Sequence, residues 1–134
     1  MTAVRSTFLR TVIALDAAAC GVMGAAFAFD AGWLAGPLGL SPALMQPIGW
    51  FLLPYAAFLA FLAARPSLPR AGVWALVAFN ALWAVESVAL VTLDWVQPTD
   101  LGLAVLVGQA VAALIVADLQ FVALRKARRE AAVA

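Results

Sequence analysis

The sequence predicts an all-α fold: a polytopic membrane protein, built as a four-transmembrane-helix bundle with both termini cytoplasmic. Three observations predict it. Of the 134 residues, 66% are hydrophobic and only 11% are charged, and the mean hydropathy is +1.04. Soluble domains average roughly 45–50% apolar and about 25% charged residues, so a single domain of this length cannot hide its apolar side chains in its own core. The bilayer must be their solvent. Second, the chain contains four apolar runs near the ~20 residues that a membrane-spanning helix needs. Third, all 8 Lys and Arg residues fall on one side of the resulting zigzag.

The first span covers 8–27, with Arg5 and Arg10 at its start. Ala17, Gly21 and Ala25 form one ridge of small residues, and Cys20, Gly24 and Ala28 form the next. Small residues at four-residue spacing let a neighbouring helix approach closely. Ala26-Phe27-Ala28 also resembles the cleavage site of a secretory signal, but Asp16 interrupts the apolar run that such a signal needs. The loop 30–46 is too apolar to be well solvated, so it is expected to lie in the membrane interface, with a short helix after Ser41-Pro42.

The second span, 43–64, contains Pro54, which should kink the helix and free the carbonyl of Trp50 as an acceptor. Arg65-Pro66-Ser67-Leu68-Pro69-Arg70 makes the turn into the third span, 71–93. Gln97-Pro98-Thr99-Asp100 then starts the fourth, 101–124, since Thr followed by Asp is a helix-start signal. Residues 125–134 form a basic cytoplasmic tail with Arg125, Lys126, Arg128 and Arg129. The two opposite loops carry only Asp30, Asp94 and Asp100, so the positive-inside rule places both termini in the cytoplasm. Trp33, Trp50 and Trp95 near one boundary and Trp74 near the other suit an aromatic belt. The whole reads as one domain, 1–134, multi-pass in the inner (plasma) membrane of a cell. A faint repeat links the two hairpins: Asp30, Trp33, Pro37 and Leu38-Gly39-Leu40 against Asp94, Trp95, Pro98 and Leu101-Gly102-Leu103.

Several function classes are excluded by what is missing. Cys20 is the one cysteine and there is no histidine. That removes disulfide frameworks, CxxC redox pairs and thiolate metal clusters. It also removes His-ligated haem, the common zinc sites and Ser-His or Cys-His nucleophile pairs. No metal, no cofactor and no enzymatic activity is expected.

Polar groups inside the spans are the candidate site. An ionisable group in a bilayer costs about 2.5–3.5 kcal/mol on insertion scales and is a functional candidate by default. At roughly 1.5 Å per residue, Glu86 lies about 22 Å from the cytoplasmic end of its helix, level with Gln109 and Trp50. Asp16, Asn80 and Tyr55 lie lower, at about 12–14 Å, and Asp118 at about 9 Å on the same rise. Two layers are therefore expected: Glu86, Gln109 and Trp50 outside, and Asp16, Tyr55, Asn80 and Asp118 inside. No Lys or Arg lies at the level of Glu86, so Gln109 or the freed Trp50 carbonyl is its expected hydrogen-bond partner. Asp118 faces away from the Gln109–Val116–Gln120 stripe and has a second reading, as an interface residue meeting Arg125 or Arg10. The layers serve either as interhelical hydrogen bonds, worth about 0.6 kcal/mol each, or as a proton path or ligand pocket near Trp83 and Tyr55.

The run from Leu9 through Asp16 and the Asn80-Ala81-Leu82-Trp83 segment, with the chain length and helix count, resemble small bacterial four-helix integral membrane proteins of unassigned function. The resemblance is DoxX-like in outline. It implies the four-helix membrane fold and carries over no functional residue. The leading expectation is a non-enzymatic structural or accessory component of a membrane assembly. Its partners would be the lipid bilayer and other membrane subunits or further copies of itself, with no nucleic acid. The alternatives are a proton-linked small transporter using the membrane carboxylates, or a bundle that binds a lipid- or quinone-type ligand.

Overall fold

The computed structural model describes residues 3–133. Five helices account for most of them: α1 (Thr7–Phe29), α2 (Ala31–Leu38), α3 (Pro42–Ala64), α4 (Arg70–Thr92) and α5 (Asp100–Val133). Two short strands, β1 (Ala3–Val4) and β2 (Leu68–Pro69), pair antiparallel with Val4 opposite Leu68. Helices α1, α3, α4 and α5 are long and apolar enough to cross a membrane. Each 23-residue helix is roughly 35 Å long at ~1.5 Å per residue, against a hydrocarbon core of about 30 Å.

Local chemistry sets the ends. The Leu9 amide donates to the Ser6 hydroxyl (3.1 Å) at the start of α1, and the Leu44 amide donates to Ser41 (3.2 Å) at the start of α3. Pro42 occupies the first turn of α3, where its missing N–H costs nothing. Thr99 accepts from the Gly102 amide at 3.1 Å and starts α5. The outer loop differs from expectation. Its short helix is α2, before Gly39, and Ser41-Pro42 opens α3 directly. Gly39 ends α2 with φ 66, a left-handed conformation that glycine adopts without a Cβ penalty. The basic tail is helical as well, continuing α5 through Val133. Its Ala, Arg, Lys and Glu residues are good helix formers.

The helices pack as two pairs, α1 against α3 and α4 against α5, which meet chiefly along α1 and α5. The tightest approach is between α1 and α3, where two glycines cross. A Cβ on Gly49 would lie 2.7 Å from the Gly24 carbonyl oxygen and 2.8 Å from the Phe27 carbonyl carbon. One on Gly24 would lie 3.0 Å from the Leu52 Cβ. Gly21 is looser, with only the Ala56 Cβ at 3.8 Å. The small-residue surface of α1 thus meets α3 most closely at Gly24.

The two turn segments of the faint repeat meet in space. The Thr99 amide donates to the Leu38 carbonyl (3.1 Å) and the Thr99 hydroxyl to the Pro37 carbonyl (2.6 Å). Gly102 lies directly against the Leu38 carbonyl. At the other end Arg10 donates to the Ala63 carbonyl (3.0 Å) and Arg70 to the Leu124 carbonyl (3.3 Å). Each bond ties the two helices of one pair. Two apolar clusters fill the bundle: one around Leu9, Ile13, Leu59 and Leu124 near the basic end, the other around Phe27, Leu38, Met45 and Leu106 near the α2 end.

Candidate functional site

Between those clusters the bundle does not close. A cavity of about 180 Å³ lies among α1, α3, α4 and α5. Helix periodicity brings its polar groups together. Asp16 and Cys20, four residues apart on α1, face inward with Met23, as residues at i, i+4 and i+7 must. The Cys20 thiol lies 3.5 Å from Asp16 Oδ1 and donates to it. Tyr55 and Leu52 enter from α3, Phe79, Asn80 and Trp83 from α4, and Gln109, Ala113 and Val116 from α5.

Some of these groups are saturated. Gln109 accepts from the Trp83 indole N–H and donates to the Ser87 hydroxyl (2.6 Å) and the Leu106 carbonyl (3.0 Å). The Ser87 hydroxyl in turn donates to the Trp83 carbonyl at 2.8 Å. The Asn80 amide donates to Gln120 Oε1 at 3.3 Å. Three buried atoms have no hydrogen-bond partner among the described residues: Asp16 Oδ2, the Tyr55 hydroxyl and Gln120 Nε2. An unpaired buried polar atom costs about 1–3 kcal/mol, and two of these three belong to residues lining the cavity.

Aromatic rings form one wall. Tyr55 and Phe79 have centroids 4.4 Å apart, Phe51 lies 6.0 Å from Tyr55, and Phe79 lies 5.8 Å from Trp83. The ladder joins α3 to α4, which otherwise touch little. The opposite side is open: Leu15 and Ala19 of α1 and Ala112 of α5 line the cavity yet are exposed. The opening therefore points sideways from the bundle, past the exposed residues of α1 and α5. A second cavity of about 110 Å³ shares Met23, Trp83 and Gln109 with the first and adds Glu86 and Ser87 toward the α2 end.

Of the residues singled out from sequence, Asp16, Tyr55, Asn80, Trp83 and Gln109 converge on the cavity. The expected outer layer does not form. Glu86 is exposed and lines only the second cavity. Gln109 is instead used by Trp83 and Ser87. Trp50 is 54% exposed and packs edge-on against Phe29, with centroids 5.1 Å apart. Asp118 is exposed too, which removes it from the inner layer, while Arg10 donates to the Ala63 carbonyl and Arg125 lies over the Phe121 ring. Equal height was the basis of both layers, and height leaves the direction around each helix undetermined.

The structure adds Met23 and Ser87 to the site, brings Cys20 into it from the small-residue surface of α1, and makes Gln120, a polar residue of the fourth span, the partner of Asn80. Gln120 is 0% exposed and Ser87 is 7% exposed. Signals for both existed. Asn80, Trp83 and Ser87 fall on one stripe at spacings of three and four, and Gln120 shares the stripe of Gln109 and Val116. Among the described residues no three His, Cys, Asp or Glu side chains come together as a metal site would require. No family model, no curated protein and no solved structure matches this chain.

Proposed function

We propose that this chain is a multi-pass inner-membrane protein, with its basic end cytoplasmic, that binds a small and largely apolar molecule drawn from the bilayer. It acts without catalysing a reaction. The observation that carries this reading is the cavity: apolar walls, a lateral mouth, and unpartnered polar atoms on Asp16 and Tyr55. A bundle that served only to pack would close such a gap, because protein interiors are as dense as organic crystals. Here Gln109, Trp83 and Ser87 satisfy one another, while Asp16 Oδ2 and the Tyr55 hydroxyl are left for something else to meet. The volume is comparable with the roughly 150 Å³ that holds a benzene ring in an engineered apolar cavity. A substituted ring with one hydrogen-bonding group fits this description, and a quinone or phenol headgroup is of that kind.

The test is extraction. The protein purified in mild detergent should release a small lipophilic molecule detectable by mass spectrometry. Failing that, it should take up a short-chain naphthoquinone saturably, with quenching of tryptophan fluorescence. Ala112→Trp, which plugs the mouth, should abolish uptake and leave the helical content unchanged. A protein that yields no ligand and takes up no probe would refute the reading and return the chain to a structural or accessory role. The second cavity favours one further reading. It continues from the first past Trp83 and Gln109, and Glu86 stands on its wall, so the pair would also suit a proton-linked carrier. Proton uptake by proteoliposomes that disappears in both Asp16→Asn and Glu86→Gln would select that reading.

A further inference from the structure

The basic end of the bundle carries a groove that the interhelical cavity does not involve. It runs between the start of α1 and the far turns of α5, and its volume is about 440 Å³. Arg5, Lys126 and Glu130 line it together with the apolar side chains of Phe8 and Val122. A second hollow, of about 290 Å³, lies on the other side of Lys126 and adds Arg125 and Arg129. All four basic side chains are exposed.

The height of the groove matters. Phe8 is 50% exposed and Val122 54% exposed, so both belong to the lipid-facing surface. One turn beyond Val122 come Arg125 and Lys126. Trp74 and Phe121 pack edge-on at 5.6 Å, and the Arg125 guanidinium lies 5.8 Å from the Phe121 ring centre. Aromatic rings beside basic side chains mark the membrane–water boundary. The groove therefore straddles that boundary, apolar on the bilayer side and cationic on the water side.

We infer that this groove seats an anionic phospholipid. Its phosphate lies between Arg5 and Lys126, and an acyl chain runs down over Phe8 and Val122. Charge complementarity selects the head and the exposed apolar pair selects the tail, so a phosphate without a tail would use only half of the surface. Lys contributes a point charge and Arg a planar fork, both suited to phosphate oxygens. Glu130, in the same lining, opposes the phosphate.

Native mass spectrometry of the full chain in mild detergent, with phosphatidylglycerol or phosphatidylcholine added, tests this. Wild type should retain phosphatidylglycerol in preference to phosphatidylcholine. A basic residue near an anionic surface contributes about fivefold in affinity, so R5A/K126A should weaken retention about 25-fold. R65A/R128A removes the same charge from the same end but does not touch the groove, and should change retention less than about twofold. Glu130→Gln should strengthen it about fivefold on the same scale. Circular dichroism of each variant establishes that the helices are intact. Equal losses in the two double variants would mean diffuse attraction and overturn the site. Retention of both lipids alike would overturn it too, as would displacement of the lipid by inorganic phosphate.

Discussion

Gly49→Ala is the sharpest test of how the bundle is held. The added Cβ would lie 2.7 Å from the Gly24 carbonyl oxygen and 2.8 Å from the Phe27 carbonyl carbon, where ordinary contact begins at 3.4 Å. The Ala28 amide nitrogen lies closer still, and all three are backbone atoms of α1, so no side chain can rotate away and α1 and α3 must move apart. Overpacking of this kind costs about 1–3 kcal/mol, and a rigid neighbour puts the cost at the upper end. Alanine regains about 1 kcal/mol of helix propensity over glycine, which leaves a net loss of about 2 kcal/mol. Gly21→Ala is the control. Its Cβ would meet only the Ala56 Cβ, at an ordinary 3.8 Å, so the propensity gain should stand and the variant should be as stable as wild type or up to about 1 kcal/mol more stable. Reversible unfolding in mixed detergent–dodecyl sulfate micelles, followed by circular dichroism, measures both. Equal stability of Gly49→Ala and Gly21→Ala would refute the claim that backbone contact at the Gly24–Gly49 crossing holds α1 against α3.

Three further outcomes follow from the same geometry. Asn80→Ala strands the Gln120 carbonyl oxygen in a fully buried position and should cost about 1–3 kcal/mol in the same unfolding assay. The double variant Asn80→Ala/Gln120→Leu should recover much of that loss, because removing both partners leaves nothing unsatisfied. Glu86→Gln alters an exposed side chain and should change stability by less than about 0.5 kcal/mol, whereas Gln109→Leu orphans the Trp83 indole and should lower the unfolding midpoint clearly. Alkaline phosphatase fused after Arg129 should be inactive and a fusion within the 94–100 loop active, since all 8 basic residues lie at the other end; the reverse pattern would invert the proposed orientation.

Hydropathy is read along the chain, and for locating the four helices long and apolar enough to cross a membrane it is sufficient. Four apolar helices, their approximate limits and helix starts at Ser41-Pro42 and Thr99-Asp100 follow from the apolar runs and the capping residues alone, although that Ser41-Pro42 opens α3 itself, with the short helix before it, does not. Each depends on neighbours within a few positions. Depth is also a property along the helix axis, so the sequence puts Asp16, Tyr55 and Asn80 at one level without reference to packing. What lies around each helix axis was decided elsewhere. Glu86 and Gln109 share a height, but the pairing of α4 with α5 turns Gln109 toward Trp83 and Ser87 and leaves Glu86 outside. Trp50 faces outward because α3 commits its Gly49 face to α1. Gly21 and Gly24 look equivalent in sequence, and only the crossing with α3 makes one tight and the other loose. In a chain this apolar every helix face can meet either lipid or protein at similar cost, so the hydrophobic pattern carries almost no signal about which face turns inward. Backbone proximity at the glycine crossing and the hydrogen bonds of a few polar side chains make that choice, and both exist only once the helices are packed.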